Sequence, residues 1–292
     1  MLPDWSLADM VTGSLRFRGR RLRTYHWKAR GSGLGRSFAL FHATGFNALT
    51  YRPLIEDLVR RGFHVHALDF SGHGGSEQPQ EIPDWFLFRD QARLFLDSLS
   101  EPTVPIGHSL GGASVLLSAA IRERDRIPLV LMDPTVLTPA LARVSALLPN
   151  RMARIARARR GRFSSRALVE RSYRLIPGFR RWHAESLTGY LEAGLRQTGN
   201  NELELSLPPE LEARIFEALR HGHWSFYRRL QNPMLILRPA KSFVCPAASA
   251  RRLVRGHPDS QDFTLDEGTH FFPMEQPLET AARIAAWVAE QE

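Results

Sequence analysis

The sequence predicts an α/β domain, a mainly parallel sheet flanked by helices on both faces, with a helical lid inserted late in the chain. Three observations predict it. Short apolar runs alternate regularly with segments of helical periodicity. A Gly-x-Ser-x-Gly stretch, Gly107-His108-Ser109-Leu110-Gly111, stands between one such run and a helix-like segment. The alternation then stops for the 98 residues from 134 to 231 and resumes afterwards. These boundaries assign residues 1–133 and 232–292 to the core domain and residues 134–231 to the lid. A chain of 292 residues is long enough to bury such a core.

Taken in order, Leu15, Phe17, Leu22 and Tyr25 alternate around a turn at Gly19-Arg20, the pattern of an antiparallel hairpin at a sheet edge. A loop from Lys28 to Gly35 leads to Ser37-Phe38-Ala39-Leu40-Phe41-His42, a short continuous apolar run suited to a buried strand. Thr50 is placed to cap a helix running to Arg61, with Leu54, Ile55 and Leu58 on one face and Gly62 as its stop. His64-Val65-His66-Ala67-Leu68 reads as the next strand and residues 69–76 as a glycine-rich turn. Asp84 is placed to cap a helix with the stripe Phe88, Ala92, Phe95, Leu96 and Leu99. Thr103 to Gly107 reads as the strand entering the serine turn and Leu110 to Ile121 as the helix after it, and Pro128-Leu129-Val130-Leu131-Met132 is then a short buried strand. Pro134 biases Asp133 toward extended geometry, so the strand is expected to end there. From 134 to 231 only helix-like segments are expected. A strand at 233–237, a helix at 247–254, a strand at 263–265 and a helix at 278–289 close the pattern.

Serine between glycines at a strand-to-helix turn is a nucleophile elbow. Any Cβ at the glycines would collide with the neighbouring strand or helix, and the helix N-terminus aims free N–H groups at the place where an oxyanion would form. Other constellations are weak: His221 and His223 lack a third acid or cysteine nearby for a metal, and no phosphate loop or dinucleotide fingerprint occurs. Cys245, the only cysteine, excludes an internal disulfide. With no 18-residue apolar run and no basic-then-apolar leader in Met1-Leu2-Pro3-Asp4-Trp5-Ser6, the expected location is cytoplasmic. The net charge of +9 is concentrated: residues 134–181 hold twelve arginines and one acid, Glu170. That segment is suited to a phosphate or an anionic membrane surface, or is simply a solvated face. No nucleic acid is expected as a partner, and the sequence leaves the oligomeric state open.

In the order His42-Ala43-Thr44-Gly45-Phe46, residues 69–76, the elbow at Ser109, and Gly268-Thr269-His270-Phe271-Phe272-Pro273, the chain resembles the alpha/beta-hydrolase superfamily, in particular its lidded serine esterase and thioesterase members. The lid resembles theirs in Tyr190-Leu191-Glu192-Ala193-Gly194-Leu195 and Glu212-Ala213-Arg214-Ile215-Phe216. The resemblance implies Ser109 as nucleophile and His270 as base. The commonest pattern places the acid after the strand ending near Leu237, but the loop from Arg238 to Pro246 contains no carboxylate. Some members instead use the end of the strand after the elbow helix, and Asp133 occupies that place; Asp266 and Glu267 are the rivals, as is a dyad with no acid. The resemblance further implies an oxyanion hole made by Leu110 N–H and Thr44 N–H, with Gly45 as the alternative to Thr44. His42 and His73 are expected to fasten loops, and His108 fills only the elbow's variable position. The lid aromatics are expected to form its core, a few of them lining an acyl pocket.

The implied activity is hydrolysis of a carboxylic ester or thioester with an apolar acyl group, without a cofactor. An acyl-CoA thioesterase or a lysophospholipase using the basic lid is the narrower alternative. A non-hydrolytic ligand receptor, and a lyase or perhydrolase using the same residues, are the other classes this fold allows.

Overall fold

The computed structural model describes residues 10–30, 36–121, 126–199 and 202–291. The N-terminal stretch read for a leader and residues 31–35 of the loop after Lys28 lie outside the described residues.

The strands are β1 Met10–Phe17, β2 Arg20–Trp27, β3 Ser37–Phe41, β4 His64–Leu68, β5 Thr103–His108, β6 Leu129–Met132, β7 Arg162–Phe163, β8 Leu195–Gln197, β9 Leu203–Leu205, β10 Met234–Pro239 and β11 Gln261–Leu265. The helices are α1 Arg52–Arg60, α2 Phe86–Asp97, α3 Leu110–Ala119, α4 Pro139–Ala146, α5 Arg151–Arg157, α6 Arg166–Leu175, α7 Ala184–Gly194, α8 Pro209–Glu217, α9 Trp224–Tyr227, α10 Ala247–Val254, α11 Phe272–Glu275 and α12 Pro277–Ala289.

Eight strands form one sheet in the order β1-β2-β4-β3-β5-β6-β10-β11. β1 and β2 pair antiparallel, as do β2 and β4; every pairing from β4 through β11 is parallel. The hairpin at the sheet edge turns on Arg18 and Gly19, both with positive φ, one residue earlier than the periodicity places it. Because β3, β5, β6 and β10 are covered on both faces, all their residues are buried, which is why they read as unbroken apolar runs. On one face α1 and α12 pack Leu54, Leu58, Ile284 and Trp287 against Phe38, Leu40, Val65 and Ile106. On the other α2, α3 and α10 pack Phe88, Phe95, Leu116 and Leu253 against Phe41, Leu68 and Ile236. Each successive parallel strand therefore ends at one edge, and the functional loops collect there.

Three local expectations are corrected. Asn47, not Thr50, is the cap: its side chain accepts from Thr50 N in a short 3₁₀ turn, Ala48–Tyr51, whose N3 residue Thr50 reaches back to Asn47 N, and α1 begins only at Arg52. The segment between β6 and β10 is not purely helical, because β7, β9 and β8 form a small antiparallel sheet within it. These strands are two or three residues long, too short for their periodicity to register in the sequence. Finally, Asp133 is not extended but has φ 41°. Its N–H donates to Leu237 O at 2.7 Å and the N–H of Thr135 donates to Ser109 O at 3.1 Å, so tertiary hydrogen bonds override the bias from Pro134.

Candidate active site

β5 carries the chain to the sheet's carboxyl edge, and Ser109 turns it into α3 with φ 53° and ψ −111°. A Cβ on Gly111 would overlap the carbonyl of Phe41, and one on Gly107 would overlap Gly111 backbone, so the turn fits only between glycines. Besides Arg18 in the hairpin, Ser109 and Asp133 are the non-glycine residues with positive φ among the described residues. Strain held by surrounding hydrogen bonds is characteristic of functional positions.

Asp133, fully buried, accepts from His270 Nδ1 at its Oδ2, 2.7 Å, and from Ser242 Oγ at its Oδ1, 2.5 Å. Ser242 Oγ in turn accepts from Cys245 N at 2.8 Å. With Nδ1–H committed to the carboxylate, Nε2 is the basic nitrogen of His270. Among the described residues Asp133 is the carboxylate bonded to His270; Asp266 and Glu267 do not reach it. Ser109 is 8% exposed and its Oγ lies 3.3 Å from Thr135 Oγ1. Leu110 opens α3, where an N–H has no helical acceptor, and Thr44 stands in the loop after β3, whose last residue, Phe41, has its carbonyl against Gly111 of the elbow.

His108 is more than the variable elbow residue. Ala43 N–H donates to Tyr51 OH at 3.1 Å, so the phenol's own hydrogen goes to His108 Nδ1 at 2.6 Å, and Nε2–H donates to the carbonyl of His270 at 2.9 Å. One directed chain of hydrogen bonds thus runs from the loop after β3 through the elbow to the histidine loop. The His108 imidazole, fully buried and beside His270, is held well below its ordinary pKa and stays neutral, as this chain requires. His42 and His73 fasten loops: His42 Nε2 accepts from Phe70 N at 2.9 Å while Nδ1–H donates to Ala43 O at 2.8 Å, and His73 donates to Ser71 O at 3.1 Å. Burial pushes His73 down to about 4 and His42 well below its ordinary value. Asp69, at the end of β4, accepts from Ala48 N, Gly75 N and Tyr25 OH at 2.8 to 2.9 Å, tying the glycine-rich turn to the oxyanion loop; burial raises its carboxyl to about 6.

The segment between β6 and β10 closes over this edge. Glu212 on α8 is buried against Gly45, where a side chain would displace it, and is ion-paired with Arg159. Arg159 also donates to Tyr173 OH at 2.8 Å and Tyr190 OH at 2.7 Å. Asn47 Nδ2 donates to Tyr190 O at 3.0 Å. Phe46 of the oxyanion loop meets Trp182, Tyr190 and Phe271 edge-on with ring centroids 5.2 to 5.9 Å apart. His223 packs on Phe86 and Phe226. Sequence reasoning assigns no role to Thr135, Ser242 or Tyr51 and reads His108 only as the elbow's variable residue. Only Ser242 left a signal in the sequence, as a hydroxyl in a loop lacking its expected acid.

A doubly covered parallel sheet thus brings a strained serine turn, a histidine loop and a buried aspartate together at its carboxyl edge. The alpha/beta hydrolase family model matches residues 38–283, and the chain belongs to that family. It is 32% identical to human (Homo sapiens) monoglyceride lipase over 125 residues, 41% of each chain, and 36% identical to epoxide hydrolase A of Mycobacterium tuberculosis over 106 residues, 35% of this chain and 32% of the relative. The chain thus matches less than half the length of these relatives. The crystal structure of E-2-(acetamidomethylene)succinate hydrolase superposes with a TM-score of 0.79 at 22% identity, covering 96% of this chain and 99% of that one, a likeness of fold. No described helix is long and apolar enough to cross a membrane.

Proposed function

We propose that the protein is a serine hydrolase that cleaves a carboxylic ester or thioester with an apolar acyl group. The observation that carries this reading is the buried Asp133 carboxylate 2.7 Å from His270 Nδ1, on the strand next to the serine turn. In this mechanism Ser109 Oγ attacks the acyl carbon while His270 Nε2 takes its proton, and Asp133 steadies the imidazolium. The tetrahedral oxyanion is held by the N–H groups of Leu110 and Thr44. The intermediate collapses to an acyl-serine as His270 protonates the departing alcohol or thiol. Water then repeats the sequence and releases the acid. Phe46, Trp182, Tyr190 and Phe271 support an apolar acyl side, because they bring aromatic surface from the lid to the oxyanion and histidine loops. Epoxide opening in this superfamily uses an aspartate nucleophile, and here the elbow holds serine.

The test is labelling of the intact protein with a fluorophosphonate, with Ser109→Ala as control. An adduct on Ser109, together with turnover of acyl esters, is expected; an unlabelled Ser109 in folded protein would refute the proposal. The arginine content of the lid favours an acyl-CoA or a lysophospholipid over a simple ester. Turnover of an acyl-CoA and its matching simple ester at low and high salt tests this, and equal, salt-independent rates would remove it.

A further inference from the structure

The α4–α5 region of the lid inverts the usual arrangement of an amphipathic helix. α5 turns Ala153 and Ala156 inward against Ala213 of α8 and leaves Met152 and Ile155 outside. α4 buries only Ala142 and leaves out Leu141 and Val144, and the connection adds Leu147 at 86% exposure and Leu148 at 64%. Residues 141, 144, 148, 152 and 155 are spaced three or four apart, so the large apolar side chains follow one another along this segment while alanines face the protein. Most of the large exposed hydrophobics of the described residues fall between 141 and 176. A soluble surface seldom gathers them without a partner.

The same segment states what kind of partner. Arg143, Arg151 and Arg154 are interleaved with the apolar residues, are exposed, and have no carboxylate partner among the described residues. Residues 134–181 carry twelve arginines against one acid. A second copy of the chain docking here through the same face would set these arginines against each other, and a nucleic acid would leave six large apolar side chains against a polyanion. An anionic bilayer satisfies both features, phosphates meeting the guanidiniums and acyl chains receiving the leucines. The place is suited to delivering substrate: α4 is capped by Thr138, three residues beyond Thr135, whose hydroxyl lies 3.3 Å from Ser109 Oγ.

We propose that the α4–α5 face docks the protein on an anionic lipid surface. The inference concerns the outside of the lid and stands whether or not Ser109 is the nucleophile. The experiment is sedimentation of the full chain with phosphatidylcholine vesicles containing about 30% phosphatidylglycerol, against pure phosphatidylcholine vesicles, at low and high salt. Binding is expected to be at least about tenfold stronger to the anionic vesicles and to weaken with salt. The exposed triple variant Leu147→Ser, Leu148→Ser, Ile155→Ser is expected to bind them about tenfold less with an unchanged melting temperature, and Ser109→Ala to bind as the unaltered protein. Wild-type protein left in the supernatant with anionic vesicles would overturn the proposal, as would equal binding to both vesicle types. A dimer in light scattering that the triple variant dissociates would overturn it in favour of a second copy.

Discussion

The ends of β5 and β6 lie side by side and hand the chain on in different ways. Both place the next residue in the left-handed region, Ser109 at φ 53° and Asp133 at φ 41°. At Ser109 the turn is made possible locally, by Gly107 and Gly111, which clear backbone that a side chain would strike. At Asp133 no flanking glycine helps, and the following proline biases the residue toward extended geometry; the glycine that makes room there, Gly112 of α3, clears Pro134 from across the turn. The corner is held instead from a distance, by Leu237 O, Ser242 and His270. Equivalent strain is therefore supported in one place by sequence neighbours and in the other by tertiary hydrogen bonds.

The sharpest probe of the first corner is Ser109→Ala, expected to lower turnover of an acyl ester by roughly 10⁴- to 10⁶-fold while the melting temperature stays near the parent value. Asp133→Asn probes the second: turnover is expected to fall about 10⁴-fold, since an amide that donates to Nδ1 would select the wrong imidazole tautomer. Near-normal kcat in that variant would mean that Asp133 serves only the backbone. Gly111→Ala separates local from distant support; the new Cβ meets the fixed carbonyl of Phe41, and urea unfolding should show a loss of about 3 kcal/mol or more. Ser242→Ala removes a single distant tie to the carboxylate, and a roughly tenfold lower kcat with little change in KM is expected from steady-state rates.

The contrast also explains what could be read in the sequence. The parallel strands, the helices that cover them and the serine turn are local patterns of apolar periodicity and glycine spacing, and they were legible. Asp133 was legible only as a carboxylate in the right order along the chain, because its geometry comes from residues more than a hundred positions away. His108 was misjudged for the same reason: its two partners, Tyr51 and His270, are separated from it by 57 and 162 positions and leave no periodic trace. The small antiparallel sheet between β6 and β10 was missed because two- and three-residue strands have no pattern to show, and Asp133 was expected to be extended because a neighbour rule was applied where long-range hydrogen bonds decide.

The hydrogen-bond chain from Ala43 through Tyr51 and His108 to His270 makes the three loops at the sheet edge one cooperative unit in thermal fluctuation. The Ala43 amide, although it lies in a loop, should therefore exchange with deuterium as slowly as amides of β3 and β5. In Tyr51→Phe, which takes away the acceptor oxygen, its exchange should accelerate while the strand amides keep their protection. The slow exchange expected of Ala43 would thus mark the ends of β3 and β5 and the loop of His270 as parts that open together, not one by one.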